Sequence, residues 1–592
     1  MRDLYGRSDG VKRWNISPTI PPHVLRHLNS YHPVIAQVLY NRGQDTPDKA
    51  RAFLDGNGLA HDPFALSGMA QAVGRIRQAI KRREPIVVYG DFDADGVTST
   101  ALLVQALGAL GAHVTPYIPH RVDEGYGLNV EALRALHQQG ARLVITVDCG
   151  IRSVEEVAYG QRIGLDMIVT DHHSVGEQRP DDAVAVINPK LDARLRLEDG
   201  RPNGYPEDML AGVGVAYKLA QALFQATEAN DRRHFRPSIQ LEDLLDLVAL
   251  GTVADLAPLD RLENRDLVRR GLQVLNRAQR LGVYELLQVA GINLEQKQVN
   301  AMTIGFMLGP RLNAAGRLDS AMIAYQLLTA TDQARASALA QQLQALNEQR
   351  QAITSETVEI ARELAFEAGD DLPIIFAASD AFRPGIVGLV AGRLCEEFYR
   401  PAVVIQEGET ESRGSCRSIA EFDITAALDQ CADLLVRHGG HAQAAGFTVR
   451  NENLPVLRER LMALAQDALA GRELRPTLDV DAEVQPGDLT DLLAYELRRL
   501  EPTGAGNDAP LFVARGLRVS EARRVGAEGK HLRLRFGQGG YALDGIAFKL
   551  GDWAGRLEAE MDVAFHLELN EWNGRVKPQL NVQDLRPAGQ PD

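Results

Sequence analysis

The sequence predicts an α/β fold: a parallel-sheet domain, joined by a long helix to a smaller α/β domain, with a C-terminal β-barrel. Three observations predict it. Between residues 86 and 187 short apolar runs alternate with helical stretches, the pattern of parallel strands joined by crossover helices. Residues 333–367 contain neither Gly nor Pro and carry Leu339, Leu343, Leu346, Ile353, Ile360 and Leu364 at near-heptad spacing, which predicts a helix long enough to bridge two domains. From about residue 475 the chain is strand-rich, and Asn573-Gly574 stands between two alternating runs as a hairpin signal.

In order, the first region reads as strand 86–89, helix 98–110, strand 113–118 and helix 129–139, opened by Asn129 as cap. Strand 143–147, helix 153–163 and strands 167–170 and 183–187 follow, then helices 213–222, 241–250 and 265–279. The second region reads as strand 374–378, helix 386–398, strand 402–405, helix 424–436 and strand 447–449. The expected divisions are an N-terminal extension, 1–80, packed on the first core, then the sheet domain with its helical part, 81–332. The connecting helix spans 333–367, the smaller domain 368–465 and the barrel 470–592.

At 592 residues, 45% hydrophobic and 24% charged, the composition is globular and excludes wholesale disorder. No run of about 18 apolar residues suggests a membrane span, and residues 1–7 lack the apolar core of a signal peptide. Cys149, Cys395, Cys416 and Cys431 form no C-x-x-C pair, so neither disulfides nor structural zinc are expected and the cytoplasm is the expected compartment. The net charge of −15 weighs against a uniformly basic nucleic-acid surface but leaves room for a local one.

The chemistry gathers where strands end. Strand 86–89 runs into Asp91-Phe92-Asp93-Ala94-Asp95-Gly96, strand 143–147 into Asp148-Cys149-Gly150, and strand 167–170 into Asp171-His172-His173. Carboxyl ends of parallel strands face one crevice, so Asp93, Asp95, Asp148 and His172 converge. Their mutual repulsion is relieved by divalent cations, and hard oxygen donors suit Mg²⁺ or Mn²⁺. A calcium loop is excluded: it needs Glu at its twelfth position, here Leu102, and a helix in front. Asp91-x-Asp93 also has the form of a phosphatase nucleophile, a reading that leaves His172-His173 without a role.

Four segments in order resemble the motifs of the DHH phosphoesterase superfamily: 90–96, 146–150, 171–173 and Gly251-Thr252-Val253-Ala254-Asp255. Residues 124–129, 309–317, 413–418 and 439–446 narrow the resemblance to the RecJ branch. It spans about 87–449, with a weaker echo in Glu501-Pro502-Thr503-Gly504-Ala505-Gly506-Asn507, where Thr503 and Asp508 depart from the usual Phe and Pro.

The resemblance implies that Asp148 bridges two ions, that Asp95, His172 and Asp255 complete one shell, and that Asp93 helps hold the other. It places His173 toward the scissile phosphate, with Asp91 and Asp171 as orienting groups. Ser415, Arg417 and His441 are the expected phosphate contacts, with Arg121 and Arg311 at a terminal 5′-phosphate. Alone, 413–418 and 439–441 read as turns, and Gly212-Val213-Gly214 as a helix opening built for close packing.

In the barrel region Arg523, Arg524, Lys530, Arg533 and Arg535, with Phe536, Tyr541, Phe548 and Trp572 nearby, suit single-stranded nucleic acid. The implied activity is a 5′-to-3′ exonuclease specific for single-stranded DNA, releasing 5′-mononucleotides by a two-metal mechanism in repair and recombination. A narrow channel between the α/β lobes would exclude duplexes. Monomeric action beside single-strand-binding protein and a helicase, away from membranes, is implied with it. Two alternatives stay open: a DHH phosphodiesterase for short oligonucleotides or cyclic dinucleotides, and a catalytically silent single-strand-binding scaffold.

Overall fold

The computed structural model describes residues 12–56, 61–121, 123–192, 204–230, 237–367, 369, 372–572 and 575–590. It divides into two compact units. One comprises Arg51–Gln349 and Glu501–Asp508, the other Met1–Ala50, Arg350–Leu500 and Ala509–Asp592.

Within the first unit the described strands form a five-stranded sheet, ordered Val114–Tyr117, Ile86–Tyr89, Leu143–Thr146, Asp166–Thr170, Ala185–Ile187, with every neighbouring pair parallel. Strand alternation divides the core. Ile86, Val88, Ile145 and Ile168 pack on one face with Ile76, Val97, Ala101 and Val213. Val87, Tyr89, Val144 and Met167 pack on the other with Leu133, Leu136 and Val157. A sheet buried on both faces needs strands apolar at every position, as Ile86–Tyr89 and Leu143–Thr146 largely are. Asn129 caps its helix as expected, accepting from the Ala132 amide at 2.7 Å. The helix Leu245–Ala254 is buried from Leu245 to Val253 and ends at Asp255.

The long helix runs Gln333–Phe366, and the division between the units falls within it. In the second unit a mixed sheet has the order Leu435–His441, Ala444–Arg450, Glu411–Arg417, Ala402–Gln406, Ile375–Ser379. Here two expectations are corrected. Helix 424–436 stops as Ile424–Asp429, and Leu435–His441 is a strand paired with Ala444–Arg450. The segments expected as turns at 413–418 and 439–441 fall almost wholly in strands, because both pair with Ala444–Arg450.

Strands Phe512–Val525, His531–Gln538, Tyr541–Ala547, Arg575–Pro587 and Glu560–Trp572 follow one another in a sheet, and Phe512–Val525 pairs back onto Glu560–Trp572 to close a barrel. The expected hairpin joins Glu560–Trp572 to Arg575–Pro587, though Asn573-Gly574 lies outside the described residues. The expected N-terminal extension is divided between the two units, Met1–Ala50 falling in one and Arg51 onward in the other. Strand Arg13–Ile16 pairs with Thr477–Val480, and buried Trp14 packs against Val513 and Ala564, its indole donating to Asp584 at 2.8 Å. Its partners lie more than 460 residues away, beyond local pattern.

Candidate metal centre and substrate surfaces

Asp93 caps the helix Ala94–Ala109, its Oδ1 accepting from the Asp95 and Gly96 amides at 3.0 Å. Asp95, in the first turn, accepts from the amides of Gly212 (2.6 Å) and Val213 (2.9 Å), which open the helix Gly212–Asn230. A helix N-terminus favours a carboxylate. Asp148 follows its strand at φ +62°, in the left-handed region. A Cβ on Gly212 would stand 2.7 Å from the Asp148 carboxylate, and one on Gly251 2.7 Å from that of Asp95.

Around these carboxylates the imidazole of His172 lies with Nε2 3.1 Å from Asp148, 3.6 Å from Asp255 and 3.9 Å from Asp95. Three groups of donor atoms lie close enough to share an ion: Asp95, His172 and Asp255; Asp148, His172 and His173; Asp91, Asp93 and Asp148. Asp91, expected as an orienting group, therefore stands within ligand distance. Oδ1 of Asp148, Oδ1 of Asp91 and Nε2 of His172 are buried without a hydrogen bond among the described residues. Buried polar atoms are rarely left so, and hard O and N donors in this number fit Mn²⁺ or Mg²⁺.

The electrostatics agree. Burial, then neighbouring carboxylates, push Asp95, Asp148 and Asp91 well above the usual range. Burial, then Asp93, lifts Asp255 to about 7. Burial, then His173, lowers His172 to about 3, leaving its imidazole neutral as a metal ligand must be. Asp171 is different. Burial alone would raise it, but the hydrogen bond and charge of His173 hold it low. Its oxygens accept from the amides of His172 (2.7 Å), His173 (3.0 Å) and Ile151 (2.9 Å) and from Nδ1 of His173 (2.8 Å). That contact raises His173 against the lowering effect of its burial.

Arg121 stacks its guanidinium 4.4 Å over Phe92 and faces the charges of Asp91 and Asp93, burial lowering its pKa. Arg311 donates to Gln344 (2.8 Å) and to the Met307 carbonyl (2.7 Å).

Several residues to which the sequence assigned no role also shape the site. Tyr126, Asn313 and Gly316 lie within segments 124–129 and 309–317, and Asn188 and Lys190 lie outside any motif. Tyr126 places its hydroxyl 3.2 Å from Nδ1 of His173. Asn313 accepts from the Ala94 amide at 2.8 Å, and a Cβ on Gly316 would strike the Phe92 carbonyl. Lys190 donates to the His172 carbonyl at 2.6 Å and Asn188 to that of His173 at 3.0 Å. The last pair follows the strand Ala185–Ile187, so the strand-end rule extended to one more strand would have found it.

Comparison with known proteins bears on the whole chain. Residues 85–252 match the DHH family N-terminal domain, 371–467 the DHHA1 domain and 480–584 the RecJ OB domain. The single-stranded-DNA-specific exonuclease RecJ of Bacillus subtilis (strain 168) is 38% identical over 97% of this chain and 70% of its own length. The protein of that name from Dickeya dadantii (strain 3937) is 38% identical over 88% of this chain and 91% of its own. The chain belongs to the RecJ family. A crystal structure of RecJ in complex with Mn²⁺ from Thermus thermophilus superposes with a TM-score of 0.81 at 33% identity, covering 98% of this chain and 80% of that one. The same protein in complex with Mg²⁺ gives 0.76 at 32% identity, covering 98% and 79%.

In the DHHA1-matched domain of this RecJ-family chain, Arg417 is the register partner of Ala444 and Ala444 of His441. Ser415, two residues before Arg417, shares its face, with His441 two strands or about 10 Å across. A Cβ on Gly388, near the start of the helix Val387–Phe398, would lie 3.0 Å from the Ser415 hydroxyl, so that helix end adjoins Ser415.

On the RecJ-type OB barrel Arg533 and Arg535 are exposed and alternate with buried Leu532, Leu534 and Phe536. Arg523 is the cross-strand partner of Arg533, and Glu521 that of Arg535. Lys530 lies 2.7 Å from Glu528, Arg524 3.6 Å from Asp552 and Arg535 3.8 Å from Asp544. Tyr541 and Phe548 are exposed, whereas Phe536 belongs to the core. The side chain of Trp572 lies outside the described residues.

Proposed function

We propose that the protein is a metal-dependent exonuclease specific for single-stranded DNA, hydrolysing phosphodiester bonds from the 5′ end to release 5′-mononucleotides in DNA repair and recombination. The observation that carries this reading is the convergence of Asp91, Asp93, Asp95, Asp148, His172 and Asp255 into overlapping donor groups with buried, unpartnered atoms. Asp95, His172 and Asp255 would hold one Mn²⁺ or Mg²⁺, Asp93 the other with Asp91 beside it, and Asp148 would bridge them. Divalent ions held there polarise water and neutralise charge at a phosphate under attack.

The chain's own groups supply the rest. Asp171 accepts a hydrogen bond from Nδ1 of His173, which orients the ring and, by raising its pKa, favours the protonated imidazolium whose Nε2–H would donate to a phosphate oxygen as the 3′ oxygen departs. Arg121 stands beside the acidic cluster as a partner for the terminal 5′-phosphate, with Arg311 the weaker candidate because its guanidinium is already engaged. Ser415, Arg417 and His441 form a polar face for the following phosphates, and Arg523, Arg524, Lys530, Arg533 and Arg535 a basic surface for the strand. Among the described residues no helix is long and apolar enough to cross a membrane. From the family resemblance we carry monomeric action in the cytoplasm, beside single-strand-binding protein and a helicase.

Single strands labelled at either end, incubated with Mn²⁺ or Mg²⁺ beside a duplex and the Asp148→Ala variant, test the proposal. Mononucleotides should leave the 5′ end of the single strand only, and not with the variant. Cleavage confined to dinucleotides, or none with metal retained, would overturn it.

A further inference from the structure

We infer that Glu501–Asp508 is a positioning strap for the metal ligand Asp255. In the chain this segment lies between the helix Asp491–Leu497 and the first barrel strand, Phe512–Val525, yet it belongs to the unit that holds the metal centre. The inference rests on reading Asp255 as a ligand.

Asp255 caps the helix Leu245–Ala254, and the next residue, Leu256, has φ +58° with its side chain 71% exposed. A left-handed leucine whose side chain buries little persists only where the surroundings impose the turn. The chain beyond it is pinned from two directions. The Ala257 amide returns to the Thr252 carbonyl at 3.1 Å, and the Leu259 amide donates to the Ala505 carbonyl of the strap at 2.6 Å.

The strap is shaped for that contact. Gly504 and Asn507 exchange two backbone hydrogen bonds of 2.9 Å, and the buried Asn507 amide group donates to the Pro502 carbonyl at 2.8 Å. Gly506 stands at φ +71°, where a Cβ would lie 2.7 Å from the Asp260 carboxylate and 3.1 Å from Pro258. A Cβ on Gly504 would meet the tip of Leu259 at 2.9 Å. Both glycines therefore mark where strap and metal loop meet.

The strap is anchored at its start by Arg265, which is 1% exposed. It donates to the carbonyls of Phe53 (2.7 Å), Pro502 (3.0 Å) and Glu501 (2.9 Å), with its guanidinium 3.9 Å over Phe53. Its neighbour Asn264 donates to the Pro258 carbonyl at 3.2 Å and the Met209 carbonyl at 2.7 Å. Met209 lies three residues before Gly212, whose amide holds Asp95. One pair of buried polar residues thus ties the strap, the loop after Asp255 and the segment before Gly212 together.

A segment that merely stabilised the fold would lower the melting temperature without changing how metal binds. The test is Mn²⁺ titration of the full chain by electron paramagnetic resonance, with thermal melting alongside. Gly291→Ala is the matched control, because Gly291 has φ +72° and open space where a Cβ would go. Gly506→Ala should weaken one of two Mn²⁺ ions about ten- to hundredfold, the range typical of groups that orient a metal ligand, and spare the other. Gly291→Ala should bind both as the parent does. Should Gly506→Ala not fold, Gly504→Ala, which meets only a movable methyl, should weaken the same ion by less. The strap role is overturned if both strap variants bind two ions like the parent, or if Gly291→Ala loses affinity equally. A parent that retains no Mn²⁺ would instead remove the metal-centre reading and the strap with it.

Discussion

Asp148 combines two costs that a residue chosen for stability would avoid. Its left-handed backbone costs about 1–2 kcal/mol for a residue with a Cβ, and its carboxylate is buried beside Asp95, Asp93 and Asp91. Strain and repulsion of this kind persist where a site needs them. Asp148→Asn should therefore melt higher than the parent in chelator, since Asn adopts the same backbone conformation as readily as Asp and removes the carboxylate buried beside Asp95, Asp93 and Asp91. The same variant should lose Mn²⁺ binding and exonuclease activity, and a parent that melts higher in chelator would contradict the account. Glu207 is a second residue under electrostatic load, lifted to about 7 chiefly by burial. A carboxyl whose folded pKa lies above its unfolded value binds its proton more tightly when folded. Its stabilising effect is complete below pH 4.5 and is lost as pH rises through 7. Glu207→Gln should thus match the parent near pH 4.5 and exceed it by roughly 3 kcal/mol at pH 8, read by urea denaturation at both.

At the level of elements, the ends of strands were legible and their long-range partners were not. Asp93, Asp148 and His172 could be placed in one crevice because each follows an apolar run in a parallel sheet. Gly212 reads locally as a packing glycine. Its amide donates to Asp95, 117 residues earlier, and no periodicity encodes such a pairing. Glu411–Arg417 and Leu435–His441 escaped recognition for another reason: Arg413-Gly414-Ser415 and His438-Gly439-Gly440 are poor in β-branched residues, so propensity argues for turns while pairing with Ala444–Arg450 decides for strands. In the strand His531–Gln538 exposed Arg533 and Arg535 alternate with buried Leu532, Leu534 and Phe536, so Phe536, grouped from sequence with the aromatics that suit nucleic acid, belongs to the core face. What sequence could not show is that Asp544 and Asp552 come close to Arg535 and Arg524. Arg533, paired across strands with Arg523, is the stronger phosphate contact on this reading. Replacing Arg523 and Arg533 by Ala should lower affinity for single strands and flatten the slope of log K against log salt by about 1.4, or 0.7 per lost contact. An unchanged slope would remove these strands from the interface.

The whole molecule carries a net charge of −15 and collects five Asp residues and two His into overlapping donor groups within one unit. Without metal that unit holds its own repulsion, so stability and metal binding are linked there. A chain with two compact units need not unfold in one step. Ligand binding stabilises only what unfolds with the site, by about 2.7 kcal/mol at a hundred times Kd. Calorimetry should therefore resolve two transitions, of which Mn²⁺ raises one and chelator lowers the same one. Trp14→Ala addresses the other. Trp14 is buried in the barrel unit, donates to Asp584 and lies beneath the Arg586 guanidinium at 3.7 Å, so its truncation should cost about 3–5 kcal/mol. That loss should appear in the transition insensitive to Mn²⁺, leaving the Mn²⁺-dependent rise of the first intact. If Trp14→Ala instead lowered the Mn²⁺-sensitive transition, the N-terminal strand would serve the metal-binding unit after all, and its pairing with Thr477–Val480 would not be what it contributes.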